Sequence, residues 1–171
     1  TSANQPFLEY DRVWAASTQW RTPKSSLTLG QWIDIIVTYD GGATTNNPVI
    51  YLDGVSQTIT QITADPTGSL ATNTDAYVLG ARGNDTLRNY DGKLAEFAIW
   101  DRILTAAEAA AIGGDGFSPI FYPASLVSYL PLVRELNDYK NAAATVTGAA
   151  VVVHPRIIYP APRYIIMAPA A

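Results

Sequence analysis

The chain of 171 residues contains no cysteine, one histidine and one methionine. The lack of cysteine excludes a disulfide framework, a thiolate metal site and a cysteine nucleophile. Lysine and arginine together number 11 and are scattered, against 15 aspartates and glutamates, so the net charge is −4. This balance disfavours nucleic-acid partners, because non-specific binding needs clustered basic side chains. No apolar run approaches the ~20 residues of a membrane-spanning helix, so we expect no membrane partner.

Residues suited to catalysis are also few and widely separated. The single histidine, His154, precedes a proline in a proline-broken segment, where a Ser-His-Asp arrangement cannot be defended. Glycoside hydrolases use two carboxylates that flank the bond, and no glutamate here belongs to such a cluster. The glutamates are Glu9, Glu96, Glu108 and Glu135, with Glu96 predicted in a strand and Glu108 at a helix cap. We therefore predict that the chain is not an enzyme and has no catalytic residues.

What the chain has in quantity is short alternating patterns bounded by turn residues. Residues 32–39 (WIDIIVTY) alternate with one wholly apolar face, which predicts a strand packed on one side, with Trp32 in the core. Trp20 lies in a turn-rich segment and is read either as an exposed platform or as a cap on the core. Further strands are predicted at 7–14, 49–52, 55–59, 77–79 and 93–100. Many short strands and frequent turns indicate an antiparallel sandwich.

One short helix is predicted at about 105–112. Thr105 and Glu108 fit the S/T-x-x-E capping box, in which the two residues satisfy each other's backbone N–H groups. Alanines follow, and they are the best helix formers. Gly113 is predicted at the position just after the helix, where glycine is common.

The composition of the chain changes after residue 116, where prolines interrupt aromatic and aliphatic residues. We predict one more strand at 126–130, followed by a proline-broken apolar tail from 151. The tail is too apolar for a solvated linker, so it should lie against a surface of its own domain or of a partner. The residues expected to dock are Ile157, Ile158, Tyr159, Tyr164, Ile165 and Ile166.

Five segments resemble a known family. Residues 30–40 (GQWIDIIVTYD) are similar to a characteristic strand of concanavalin A-like, laminin G-like jelly-roll domains. Four further segments resemble later parts of those domains and come in the same order: 50–54 (IYLDG), 77–80 (YVLG), 90–100 (YDGKLAEFAIW) and 102–112 (RILTAAEAAAI). The resemblance implies an all-β, antiparallel two-sheet jelly-roll sandwich with a short helix after its last long strand.

The order of one segment departs from the family. Residues 126–132 (LVSYLPL) resemble the strand that normally opens such a domain, yet they come at the end. Either the domain is circularly permuted, so that this segment completes the sandwich in cis, or the chain exchanges strands with another copy. We favour the first. We therefore expect a sandwich with an incomplete front part at 1–116 and a C-terminal extension at 117–171. A second departure from the family is Ala95, which stands where the family often has an aspartate.

The resemblance also bears on function. Residues 154–160 (HPRIIYP) are similar to extensions of laminin G-like proteins from bacteriophages and prophages. This implies a structural or adhesion protein of the virion surface, as capsid decoration or tail-associated protein, with homo-oligomeric, capsid or tail partners. We expect its location to be the virion or an extracellular surface.

A lectin-like function is the alternative. Loop 81–91 combines planar polar groups with an aromatic, which suits sugar hydroxyls and ring faces and equally a protein contact. Its candidate ligand-binding residues are Arg82, Asn84, Asp85, Arg88 and Tyr90. No cofactor is expected. Calcium is a less favoured possibility, and the oxygen ligands available in loops are Asp53, Asp75, Asn84, Asp85, Asn89 and Asp91.

Overall fold

The computed structural model describes residues 5–71, 77–82, 85–132, 139 and 155–160, with the backbone alone for residues 82 and 85–88. Within these ranges lie twelve strands, one α-helix, α1 (Ala106–Gly113), and one 3₁₀-helix (Pro119–Phe121). The strands are β1 (Glu9–Arg12), β2 (Trp14–Ala16), β3 (Thr18–Arg21), β4 (Ile35–Thr38), β5 (Val49–Leu52), β6 (Val55–Ser56), β7 (Thr60–Gln61), β8 (Thr67–Leu70), β9 (Ala81–Arg82), β10 (Asp85–Asn89), β11 (Phe97–Trp100) and β12 (Leu126–Leu130).

The strands form five small antiparallel sheets. Their orders are β1-β3-β7, β2-β8, β4-β5-β6, β9-β10 and β11-β12. The predicted all-β antiparallel fold with one short helix is confirmed. No helix in the described ranges is long and apolar enough to cross a membrane.

The sheet β4-β5-β6 is formed by the predicted hairpin, but its first strand is shorter than predicted. Pairing runs from Ile35 opposite Leu52 to Thr38 opposite Val49. Just before this ladder, Asp34 bonds to Asp53 in two ways. Its carbonyl accepts from the Asp53 backbone N–H at 3.0 Å, and its own N–H donates to the Asp53 carboxylate at 2.9 Å. Trp32 therefore precedes the strand and is 41% exposed, and the prediction that it lies in the core was wrong.

An aromatic cluster forms part of the core. The rings of Tyr10, Trp20 and Tyr39 have centroids 5.6–6.0 Å apart. Trp20 is 1% exposed, and its indole N–H donates to the Asn47 side-chain oxygen at 2.7 Å. A buried indole needs such an acceptor. The interpretation of Trp20 as an exposed platform was therefore wrong, and Trp14 binds the same cluster by donating to the Tyr39 hydroxyl at 3.2 Å.

The capping box is present as predicted. The backbone N–H of Glu108 donates to the Thr105 hydroxyl at 3.2 Å, and the backbone N–H of Thr105 donates to the Glu108 carboxylate at 2.8 Å. Gly113 is still helical, and the cap after it, Gly114, has a right-handed backbone with φ −100°. The predicted position of Gly113 just after the helix was wrong. Its lack of a side chain serves packing, because a Cβ there would lie 2.8 Å from the backbone nitrogen of Gly54.

The C-terminal part of the chain joins the body through two pairings. β12 pairs with β11 within the chain, with Phe97 opposite Leu130. Residues 126–130 thus take their place in cis, as favoured from the sequence. Further on, Ile158 forms a parallel bridge to Phe117. Three other strand predictions were too long or wrong: 55–59 is a strand only at Val55–Ser56, 93–100 is a strand only from Phe97, and 77–79 forms no strand.

Candidate functional site

The predicted ligand loop 81–91 is a β-hairpin, so its description as a loop was wrong. β9 and β10 pair antiparallel, with Asp85 opposite Arg82, and the backbone N–H of Tyr90 donates to the Gly80 carbonyl at 2.7 Å. The Tyr90 ring lies over Gly92, where a Cβ would overlap the ring. Asn84 and the side chains of the other predicted polar residues lie outside the described part, so their convergence stays a prediction.

Exposed apolar side chains flank this hairpin on both of its ends. Each of these side chains is between 39% and 72% exposed. A Cβ added at Gly80 would lie within 4 Å of the side chains of both Leu94 and Tyr90. We call this set the hairpin patch, and it consists of Tyr77, Val78, Leu79, Tyr90 and Leu94. Tyr90 and Leu94 thus meet beside Gly80, and Tyr77, Val78 and Leu79 lead directly into it along the chain. Exposed apolar residues that lie together are typical of a binding surface.

A second surface feature is a cleft where β4 ends and β5 begins. It encloses about 250 Å³ and is lined by Thr38, Tyr39, Asp40, Asn46, Asn47, Val49 and Ile103. Val49 and Ile103 are both exposed, so the cleft is open to solvent. None of its lining residues was predicted from the sequence as part of a site. The signal that was available is the polar run TNN directly before β5, after the Asp-Gly-Gly turn.

Hydrogen bonds hold the polar groups of the cleft in place. The Asp40 carboxylate accepts from the Gly42 backbone at 2.8 Å through one oxygen. The Asn46 amide donates to the Asp40 carbonyl at 3.1 Å. Asn47 is oriented by Trp20, whose indole occupies its side-chain oxygen. The second Asp40 oxygen and the Asn47 amide N–H₂ have no partner within the described residues, so they are available to a polar ligand.

Glu96 is the centre of a third constellation. It precedes β11 and has a left-handed backbone with φ 55°. One carboxylate oxygen accepts from the Tyr129 hydroxyl at 2.6 Å and the other from the Tyr159 hydroxyl at 2.5 Å. The Tyr129 oxygen also lies 2.9 Å from the Ser118 hydroxyl, in a fully buried position. Burial and the neighbouring Glu96 charge raise the pKa of Tyr159 to about 12.

Among the carboxyl groups that the structure describes, Asp34 has a raised pKa, about 6. Partial burial is the main cause, and the charges of Asp53 and Glu96 add to it. In contrast, hydrogen bonds from Arg102 and from the Thr105 backbone lower the pKa of Glu108 to about 2. A raised carboxyl pKa is common at functional sites but also arises in structural clusters. No group of three or more acidic or histidine side chains placed to hold a metal ion is found in the described ranges.

Comparison with known proteins settles the family. A family described as the concanavalin A-like lectin/glucanases superfamily, of the laminin G type, matches residues 2–110. The chain belongs to this concanavalin A-like superfamily. No curated protein and no solved structure matched the chain in the corresponding searches.

The match to the concanavalin A-like superfamily divides the candidate sites. The cleft and the hairpin patch lie wholly inside residues 2–110. The Glu96 constellation extends beyond the match, because its partners Ser118, Tyr129 and Tyr159 come from the C-terminal part. This constellation therefore joins the concanavalin A-like body to the C-terminal part of the chain. Of the predicted docking tail, Ile157, Ile158 and Tyr159 are described, and the others are not.

Proposed function

We propose that the chain is a non-enzymatic structural or adhesion module on the surface of a bacteriophage particle, as capsid decoration or a tail-associated protein. The observation that carries the proposal is the hairpin patch, five large apolar side chains left exposed around the β9-β10 hairpin. Exposed apolar clusters of this kind favour contact with another macromolecule. The similarity of residues 154–160 to phage-protein extensions supports the particle surface as its place.

The glutamates support a binding role over a catalytic one. Each described glutamate carboxylate is engaged in an architectural contact. Glu9 pairs with Arg21, Glu96 with two tyrosine hydroxyls, and Glu108 with Arg102 and its own helix cap. A general acid or base must reach the substrate, and Glu96 and Glu108, each held on both oxygens by structural partners, are poorly suited to that. Glu9 is bonded through one oxygen only, and no second glutamate is shown beside it in the described part of the chain.

The experiment is quantitative mass spectrometry of gradient-purified particles from the organism that encodes the chain. We expect the chain at a fixed ratio to the major structural protein, because a surface module binds a defined set of sites. A salt wash removes proteins held mainly by screened charges. We expect the chain to remain after such a wash, since its proposed contact is apolar. Absence from the washed particles would refute the proposal.

A second candidate function is glycan binding, and the cleft favours it. Fixed amide and carboxylate groups beside two exposed aliphatic side chains match the hydroxyls and C–H faces of a sugar. The cleft thereby offers an alternative place to loop 81–91 for this function. A glycan array with and without Ca²⁺ tests it. We expect binding that Asp40→Ala abolishes and that Asp91→Ala, an exposed carboxylate outside the cleft, leaves unchanged. Background signal in both conditions would exclude this candidate.

A further inference from the structure

The segment 155–160, here called the strap, lies in a receiving groove formed by residues 116–118 and Glu96. Ile158 bonds to the groove through its backbone in both directions. Its N–H donates to the Gly116 carbonyl at 2.8 Å, and its carbonyl accepts from the Ser118 N–H at 2.8 Å. This is the way an extended peptide adds to a strand edge, with affinity that comes from the main chain.

The groove also contains one group that selects a side chain of the strap. The Tyr159 hydroxyl donates to Glu96 at 2.5 Å. Glu96 is held for this contact by a residue outside the strap, because Tyr129 on β12, only 1% exposed, occupies its other oxygen. The receiving side is therefore arranged by contacts that do not depend on the strap. A hydrogen bond to a charged acceptor is stronger than one between neutral groups.

The strap is only lightly covered. Ile158 and Tyr159 are 42% and 44% exposed. Gly116 has φ 72°, and a Cβ at that position would lie 3.5 Å from the Arg156 carbonyl, so the two backbones approach closely. A segment with few buried apolar contacts opens at a low cost in free energy. When the strap leaves its groove, the same copy presents both an empty groove and an unbound strap.

The length of chain before the strap allows it to reach beyond its own groove. Tyr139 is anchored, because its backbone N–H donates to the Tyr129 carbonyl at 2.7 Å. About 15 residues separate Tyr139 from the strap, and at ~3.5 Å per residue their upper limit of reach is ~55 Å. We propose that the groove also receives the strap of a second copy of this chain. The contacts in cis and in trans are the same, so exchange loses no contact energy. It is favoured where the local concentration of copies reaches about the millimolar effective concentration that is typical for two sites joined within one chain.

The absence of cysteine from the chain makes a direct test possible. Phe117→Cys and Ile158→Cys are made in separate copies, with different mass tags, and mixed at about 1 mM. Paired residues of neighbouring strands lie ~4.8 Å apart, which a disulfide spans. We expect mild oxidation to link the two copies roughly tenfold more than it links Ile158→Cys to Leu29→Cys, an exposed control. Equal yields for the two pairs would overturn the proposal.

A second measurement leaves the groove residue Phe117 unchanged. Light scattering on the whole chain should show a dimer fraction that rises with concentration. Tyr159→Phe removes the hydroxyl that reaches Glu96 and should lower this fraction. Tyr77→Phe removes an exposed hydroxyl of the hairpin patch and is the matched control. A chain that stays monomeric up to about 1 mM, or equal dimer fractions in the two variants, would also overturn the proposal.

Discussion

The contact between helix α1 and the turn after β5 can be tested with one methyl group. Gly54 has φ 76°, and an added Cβ would lie 2.7 Å from the Gly114 backbone nitrogen and 3.0 Å from the Ala110 carbonyl. Real Cβ atoms do not approach backbone this closely, so the helix end would have to move. Gly54→Ala thus combines the cost of a left-handed alanine, ~1–2 kcal/mol, with overpacking of ~1–3 kcal/mol.

Gly30→Ala separates these two costs. Gly30 has nearly the same φ, 78°, and a Cβ there would have nothing within 4 Å. It should therefore lose only the ~1–2 kcal/mol of the backbone conformation. Thermal unfolding followed by circular dichroism should show Gly54→Ala melting roughly 2–12 °C below Gly30→Ala, at ~2–4 °C per kcal/mol for a chain of this size. Equal melting temperatures would show that α1 does not pack on the turn as described.

The remaining predictions concern the carboxylates and their partners. In urea unfolding, Glu108→Gln should lower the stability at pH 7 through the lost Arg102 pair, and this loss should shrink as the pH falls from about 4.5 towards 2, because a carboxyl with a lowered pKa stabilises the fold only while ionised. Because the pKa of Asp34 is raised, the free energy of unfolding should fall as the pH rises from about 4 to 6 and this carboxyl ionises. Denaturant titrations of Asp34→Asn should show a smaller fall over the same pH range. Tyr129→Phe removes the buried hydroxyl that bonds both Glu96 and Ser118 and should cost ~1–3 kcal/mol in urea unfolding, against under ~0.5 kcal/mol for the exposed control Tyr77→Phe.

Local signals in the sequence predicted the parts of the fold that local chemistry controls. The capping box needs only Thr105 and Glu108, three residues apart, so it was correctly identified. The β5-β6 hairpin depends on the Asp53-Gly54 turn between two short strands, and it was identified as well. The start of β4 was wrong, because alternation continues back to Trp32 while the hydrogen-bond ladder begins only at Ile35.

Contacts between distant segments could not be predicted in this way. Glu96 and Tyr159 are 63 positions apart, and nothing in either neighbourhood marks the other as its partner. The burial of Trp20 likewise depends on Asn47, 27 positions away, which supplies the acceptor for its indole. The cleft was missed for the same reason, since Ile103 joins it from beyond β11.

The proposed function depends most directly on the hairpin patch, and one measurement tests that dependence. The double substitution Tyr90→Ser and Leu94→Ser is introduced into the gene, and the amount of the chain on purified particles is compared with that for Leu29→Ser. Leu29 is 68% exposed and lies outside the patch. We predict that the double variant folds normally but is depleted from particles about tenfold or more, which corresponds to ~1.4 kcal/mol of lost binding free energy. Equal incorporation of the double variant and the Leu29→Ser control would contradict the proposal that the hairpin patch is the attachment surface.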